Sequence, residues 1–235
     1  MIPLHDDTPT TIRPMVTIGL IVACVLAFLW QLALPPLAQQ RAIFALGFIP
    51  GVFFGDQRLP AEIAWIPSGL SLLTSMFLHG GWLHLLGNML YLWIFGNNVE
   101  DAMGHVKFLL FYLLCGVIAA LTQGFTDPEV LVPMVGASGA IGGVLGAYIV
   151  LHPHARILVL IPLGFFITTA RIPALLVLGL WFVLQFIQGS MVVGEQGGIA
   201  FWAHIGGFIS GAVLVVPFRD KSVPLFGRRR RGPWD

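Results

Sequence analysis

From Met15 to Leu34 the chain runs "MVTIGLIVACVLAFLWQLAL" without a charge. About twenty such residues in a helix cover the roughly 30 Å hydrocarbon core of a bilayer. Apolar windows of this kind recur at 13–34, 82–98, 107–124, 138–152, 172–190 and 199–218. A soluble domain carries about 25% charged residues. Here only 10% are charged, 57% are hydrophobic, and mean hydropathy is +0.89. The chain therefore reads as an all-α, multi-pass integral membrane protein, a single membrane domain over 1–235 with a basic tail at 219–235. The first window is read as a retained span rather than a cleaved signal, since it lacks a convincing small-residue cleavage site. A net charge of +1 offers no general attraction to nucleic acid. Cys24 and Cys115 both lie in apolar stretches and read as packing residues.

A further apolar stretch, "ILVLIPLGFFITT" (157–169), contains Pro162 and Gly164 and is bracketed by Arg156 and Arg171. Thirteen helical residues would cover about 20 Å, too short to span. It reads as a loop against the interface. Six spans then put both termini on one side. With the N-terminus inside, ten of the twelve Lys and Arg residues fall on inner segments, leaving only Arg41 and Arg58 outside. That distribution follows the positive-inside rule. Arg228–Arg231 serve in this reading as a topology signal, with anionic headgroups the alternative partner. The long stretch 35–81 faces outward, yet it holds Phe53, Phe54, Trp65 and Phe77, so it is expected to lie partly in the outer leaflet.

On this topology three polar residues share one depth. Asn88 lies about six residues, hence about 9 Å, into the second span, and His204 lies at a similar depth in the sixth. Ser138 opens the short fourth span and reaches the same plane if the preceding loop dips into the membrane. A serine among small residues ordinarily packs helices, and an asparagine can be interhelical glue. A histidine at depth is costly and marks function more often. Glycines at 139, 142, 143 and 146, with 206, 207 and 211, predict close contact between the fourth and sixth spans. Such contact would bring Ser138 within proton-transfer reach of His204.

The segments "HGGWLHLLGNMLYLWIFGNNVED" (79–101), "GASG" (136–139) and "AHIGGFISG" (203–211) resemble the rhomboid family of intramembrane serine proteases, in the family's order. The resemblance implies a six-helix bundle, N-in and C-in, with a membrane-embedded outer loop between spans one and two. It implies Ser138 as nucleophile and His204 as general base. His84 and Asn88, with backbone around Gly136, Ala137 and Ser138, would hold the oxyanion. Residues 172–198 would form the substrate gate and cap. The substrates would be transmembrane proteins cleaved near the outer face, in a bacterial plasma membrane, with membrane lipids as surroundings and no cofactor or metal. One departure stands out: many family members carry an aromatic residue four positions after the serine, stacked on the histidine. Here that residue is Gly142, and the resemblance does not say what orients His204.

Every acid is expected in a loop or at a terminus, which leaves a Ser–His dyad without the usual carboxylate. An ionised carboxylate in the bilayer would be costly, a physical reason for doing without one. A rhomboid-like binding module without activity, prompted by Gly142, is one alternative. A channel or transporter is another, but no internal repeat with matching broken helices supports it. No H-E-x-x-H zinc motif is present.

Overall fold

A computed structural model of the chain describes residues 1–164, 166–191 and 200–227. The expected cap at 192–198 and the Arg228–Arg231 tail lie outside the described residues. Among the described residues nine α-helices run in the order α1 (Met15–Ala33), α2 (Pro36–Leu46), α3 (Pro50–Phe53), α4 (Ser71–Thr74), α5 (Trp82–Met103), α6 (His105–Thr126), α7 (Ser138–Leu151), α8 (Ala174–Met191) and α9 (Phe201–Phe218). Each of the six apolar windows falls on one of the long helices. Among the described residues α1, α6, α8 and α9 are long and apolar enough to cross a membrane. α5 has 22 residues but carries Glu100 and Asp101. α7 has only 14, about 21 Å.

The chain is mostly but not wholly helical, which corrects the all-α expectation. Strands β1 (Ile2–Asp6), β2 (Arg156–Leu163) and β3 (Phe166–Pro173) form one antiparallel sheet in the order β1-β2-β3. Within the stretch expected as a loop, residues 157–163 and 166–169 are therefore paired antiparallel strands. Gly164 supplies their turn with φ +65°, a left-handed conformation that costs glycine little. Ile157 and Val159 are fully buried at two-residue spacing, and the stretch is rich in Ile, Val and Thr. Those are strand signals that span length alone does not weigh.

α7 is the centre of the bundle, flanked by α5, α6 and α9. Its glycines let backbones touch, the usual way to gain packing where lipid gives no hydrophobic drive between helices. A Cβ on Gly143 would sit against the Cys115 side chain of α6 and 3.3 Å from the Gly207 carbonyl of α9. Both cysteines are free and buried, as expected of packing residues. Between α1 and α5 the stretch 35–81 folds into short helices and turns rather than a bare loop. It fastens the segment before α7 through reciprocal backbone bonds between Phe48 and Met134 and through Gly51 N–H to Val130 O, 2.9 Å.

α5 extends five residues past its expected end, so Glu100 and Asp101 sit in its last turn, not in a loop. The reason is visible in their partners. Glu100 is fully buried and accepts the first amides of α1, from Val16 and Thr17, at 2.9 and 2.8 Å. It also pairs with His105 at 2.6 Å. Negative charge at a helix N-terminus satisfies orphan amides and complements the helix dipole. Asp101 accepts Thr11 N–H, Thr11 hydroxyl and Ile12 N–H, each at 2.8 Å. Near them Asp6 Oδ2 accepts the Tyr148 hydroxyl and Asn98 Nδ2, both at 2.7 Å, tying β1 under α5 and α7.

Candidate active site

α5, α7 and α9 begin at the same end of the bundle, opposite the sheet. Gly136 makes the turn into α7 with φ +126°, a conformation that a side chain would strain. A Cβ there would also lie 2.7 Å from the His84 ring. Its N–H is given to Ser75 O at 2.9 Å, so Gly136 contributes turn and clearance rather than a free donor. Ala137 is buried, and its carbonyl accepts Ile141 N–H. Ser138 is the first residue of α7, and no side chain caps the helix. The first-turn amides consequently have no intrahelical partner.

His204 stands on the first turn of α9. Its Nε2 is 2.8 Å from Ser138 Oγ. The α7–α9 contact, through the glycines of both helices, sets this separation. A Cβ on Gly142 would be 2.9 Å from the carbonyl of His204 itself and 3.4 Å from Phe208 N. No aromatic side chain fits at that position, which accounts for the departure from the family pattern. α9's backbone occupies the space.

The ring support comes from another helix. Trp181 of α8 lies with its ring centroid 5.7 Å from that of His204, tilted by 34°. Gln185, one turn further along α8, has Oε1 2.7 Å from His204 Nδ1. Neither residue is among those the sequence motifs point to. The available signal was a lone amide between apolar neighbours in "LWFVLQFI", four positions after a tryptophan.

His84 and Asn88 occupy successive turns of α5. Gly80 N–H donates to His84 Nδ1 at 3.3 Å, leaving Nε2 as the protonated nitrogen of the neutral ring. That Nε2 and Asn88 Nδ2 both face the Gly136 turn, 2.7 and 3.8 Å from its Cβ position. Asn88 is 7% exposed, and its Nδ2 has no hydrogen-bond partner among the described residues. A buried donor without a partner costs about 1–3 kcal/mol. A second amide missed from sequence supports this corner. Gln31, buried at the end of α1, bonds His79 O and His79 N–H at 3.2 and 3.0 Å and so fixes the approach to α5.

Among the described residues no cluster of His, Cys, Asp and Glu could hold a metal ion. The ion pair found among them, His105 with Glu100, is at the far end of α5. The arrangement can thus move a proton between Ser138 and His204 and offer donors to a developing negative charge beside Gly136.

The chain matches the family profile described as "Rhomboid domain" over residues 68–221. It is 35% identical over 158 residues to "Rhomboid protease GluP" of Bacillus subtilis, covering 67% of this chain and 28% of that protein. It is 30% identical over 157 residues to "Rhomboid protease AarA" of Providencia stuartii, covering 61% of this chain and 54% of that one. Against "Rhomboid protein 1, mitochondrial" of Saccharomyces cerevisiae it is 28% identical over 197 residues, covering 80% of this chain and 53% of that one. The chain therefore spans only about a quarter to a half of these relatives' lengths.

Proposed function

The chain belongs to the rhomboid family, and from that premise we propose that it is an intramembrane serine endopeptidase working through a Ser138–His204 dyad. The observation that carries the reading is the 2.8 Å contact between His204 Nε2 and Ser138 Oγ. The membrane arrangement that goes with it is one domain of six spans, N-in and C-in, in a bacterial plasma membrane. Residues 35–81 then lie at the outer leaflet, and the sheet and the 219–235 tail lie inside.

His204 takes the Ser138 proton as Oγ attacks the scissile carbonyl. The carbonyl oxygen becomes an oxyanion beside Gly136, where the His84 Nε2–H and Asn88 Nδ2–H donors point. The free amides and positive dipole end of α7 add to that stabilisation. His204 then passes the proton to the leaving amide nitrogen, the peptide bond breaks, and an acyl group remains on Ser138. Water repeats the sequence through the same base and frees the serine. Ser138, His204 and water suffice, so the reaction calls for no cofactor.

A helical substrate keeps its peptide bonds paired and hidden. The target is therefore a transmembrane segment whose small or helix-breaking residues let it unwind near the outer face. The test is cleavage of a type I transmembrane substrate in liposomes. Wild type should cut it, while Ser138→Ala and His204→Ala, both folded, should not. Cleavage by Ser138→Ala at the wild-type rate would refute the assignment.

A further inference from the structure

A neutral imidazole has one N–H, and a dyad base works only when that N–H is on the nitrogen away from the serine. The Ser138 side of His204 cannot decide this, because a hydroxyl both donates and accepts. The Nδ1 side can. Gln185 Oε1, 2.7 Å away, is an acceptor and calls for a proton on Nδ1. Nε2 is then the unprotonated nitrogen facing Oγ. We propose that Gln185 is a positioning residue that holds His204 in its reactive tautomer, and that it does so only while α8 is docked on α9. The inference rests on the protease reading above.

Two further observations support it. A carboxylate could perform the same orientation, but at this depth its charge would be expensive, whereas an amide carbonyl accepts without charge. The other titratable group facing His204 is His84 of α5, and it supplies no acceptor to Nδ1.

The second observation concerns α8 itself. Only Ala174, Val177, Leu178 and Gly189 are buried along its length. Its 22% buried share is the lowest of the four spanning candidates. α8 lies on α9 through rings: Trp181 on His204, Phe182 on Phe208 with centroids 4.7 Å apart, and Phe186 on Trp202 at 6.0 Å. This seam contrasts with the backbone lock between α7 and α9. When α8 moves away, Gln185 goes with it, while the Ser138–His204 spacing is kept by the glycines. The dyad would stay together but lose the preference for the working tautomer.

The experiment uses the full chain in liposomes, with kcat, KM, a pH–rate profile and phosphonate labelling of Ser138. Gln185→Leu should lower kcat about tenfold with KM within about twofold, and slow labelling in parallel. Gln185→Glu should stay active with the acidic limb of its profile moved up by about one pH unit or more, because a carboxylate on Nδ1 favours the imidazolium. A purely structural role would not move that limb. Phe182→Ala, which loosens the ring seam, should lower kcat as well, and combining it with Gln185→Leu should add little. Wild-type kcat in Gln185→Leu, an unmoved limb in Gln185→Glu, or full additivity with Phe182→Ala would overturn the proposal. Should Gln185→Leu not fold, the Gln185→Glu profile decides. These failures leave Ser138→Ala inactive and the wild type active, which separates them from failure of the protease reading.

Discussion

Adding one methyl group at Gly142 tests whether the backbone contact of α7 and α9 sets the catalytic spacing. In Gly142→Ala the new Cβ would sit 2.9 Å from the carbonyl oxygen of His204. Ordinary contact begins near 3.4 Å, so α9 must retreat by about 0.5 Å at His204, the proposed base. Neither backbone can turn aside as a side chain could, and an overpacked site of this kind costs about 1–3 kcal/mol of stability. The retreat stretches the 2.8 Å Nε2–Oγ contact toward the limit of a hydrogen bond. A full ångström of misplacement can cost about 100-fold in rate, so half of that predicts a loss in kcat of about tenfold. The assay is turnover of a transmembrane substrate in liposomes, with thermal unfolding followed in parallel. KM should change little, because the methyl group points into the helix seam and not toward the donors on α5. Wild-type kcat and wild-type unfolding temperature together would refute the reasoning. They would mean that side chains, not backbones, hold Ser138 to His204.

Other expectations follow from the donors and the topology. Asn88→Ala should lower kcat by about 100-fold with little effect on KM, since among the described residues its Nδ2 has no partner to lose; an unchanged kcat would remove Asn88 from the proposed oxyanion site. A reporter fused after Asp235 should read as cytoplasmic and one inserted near Gly194 as external; a tail found outside would overturn the six-span reading.

The parts of the molecule legible from sequence are those whose physics is local or periodic. Uncharged runs located the long helices to within a few residues, because hydrocarbon thickness imposes their length. The glycine spacing on α7 and α9 foretold the close contact that joins Ser138 to His204. What was missed depends on partners far away in the chain. Gln185 looks like any stray amide until α8 packs on α9 and its Oε1 meets His204. Glu100 and Asp101 read as a loop because carboxylates are unwelcome in lipid. Their place in a helix makes sense only beside the bare amides of α1 and the Thr11 turn. The hairpin of β2 and β3 was hidden for a different reason. A run of thirteen apolar residues is too short to span, and length says nothing of the strand-like alternation within it.

β1 carries a consequence for how the protein is made. A ribosome releases Asp6 early, yet its hydroxyl donor, Tyr148, comes 142 residues later. The strand that pairs with β1 starts later still, at Arg156. During synthesis the first strand therefore has no strand to pair with while the helices through α6 are inserted, and its carboxylate has Asn98 of α5 but not Tyr148 to bind. Docking it is a late event, possible only after α7 has seated Tyr148 and the hairpin has turned. Protection of residues 2–6 from a protease added on the tail side would thus time the completion of the bundle. A nascent chain halted before Tyr148 would remain open to the blade.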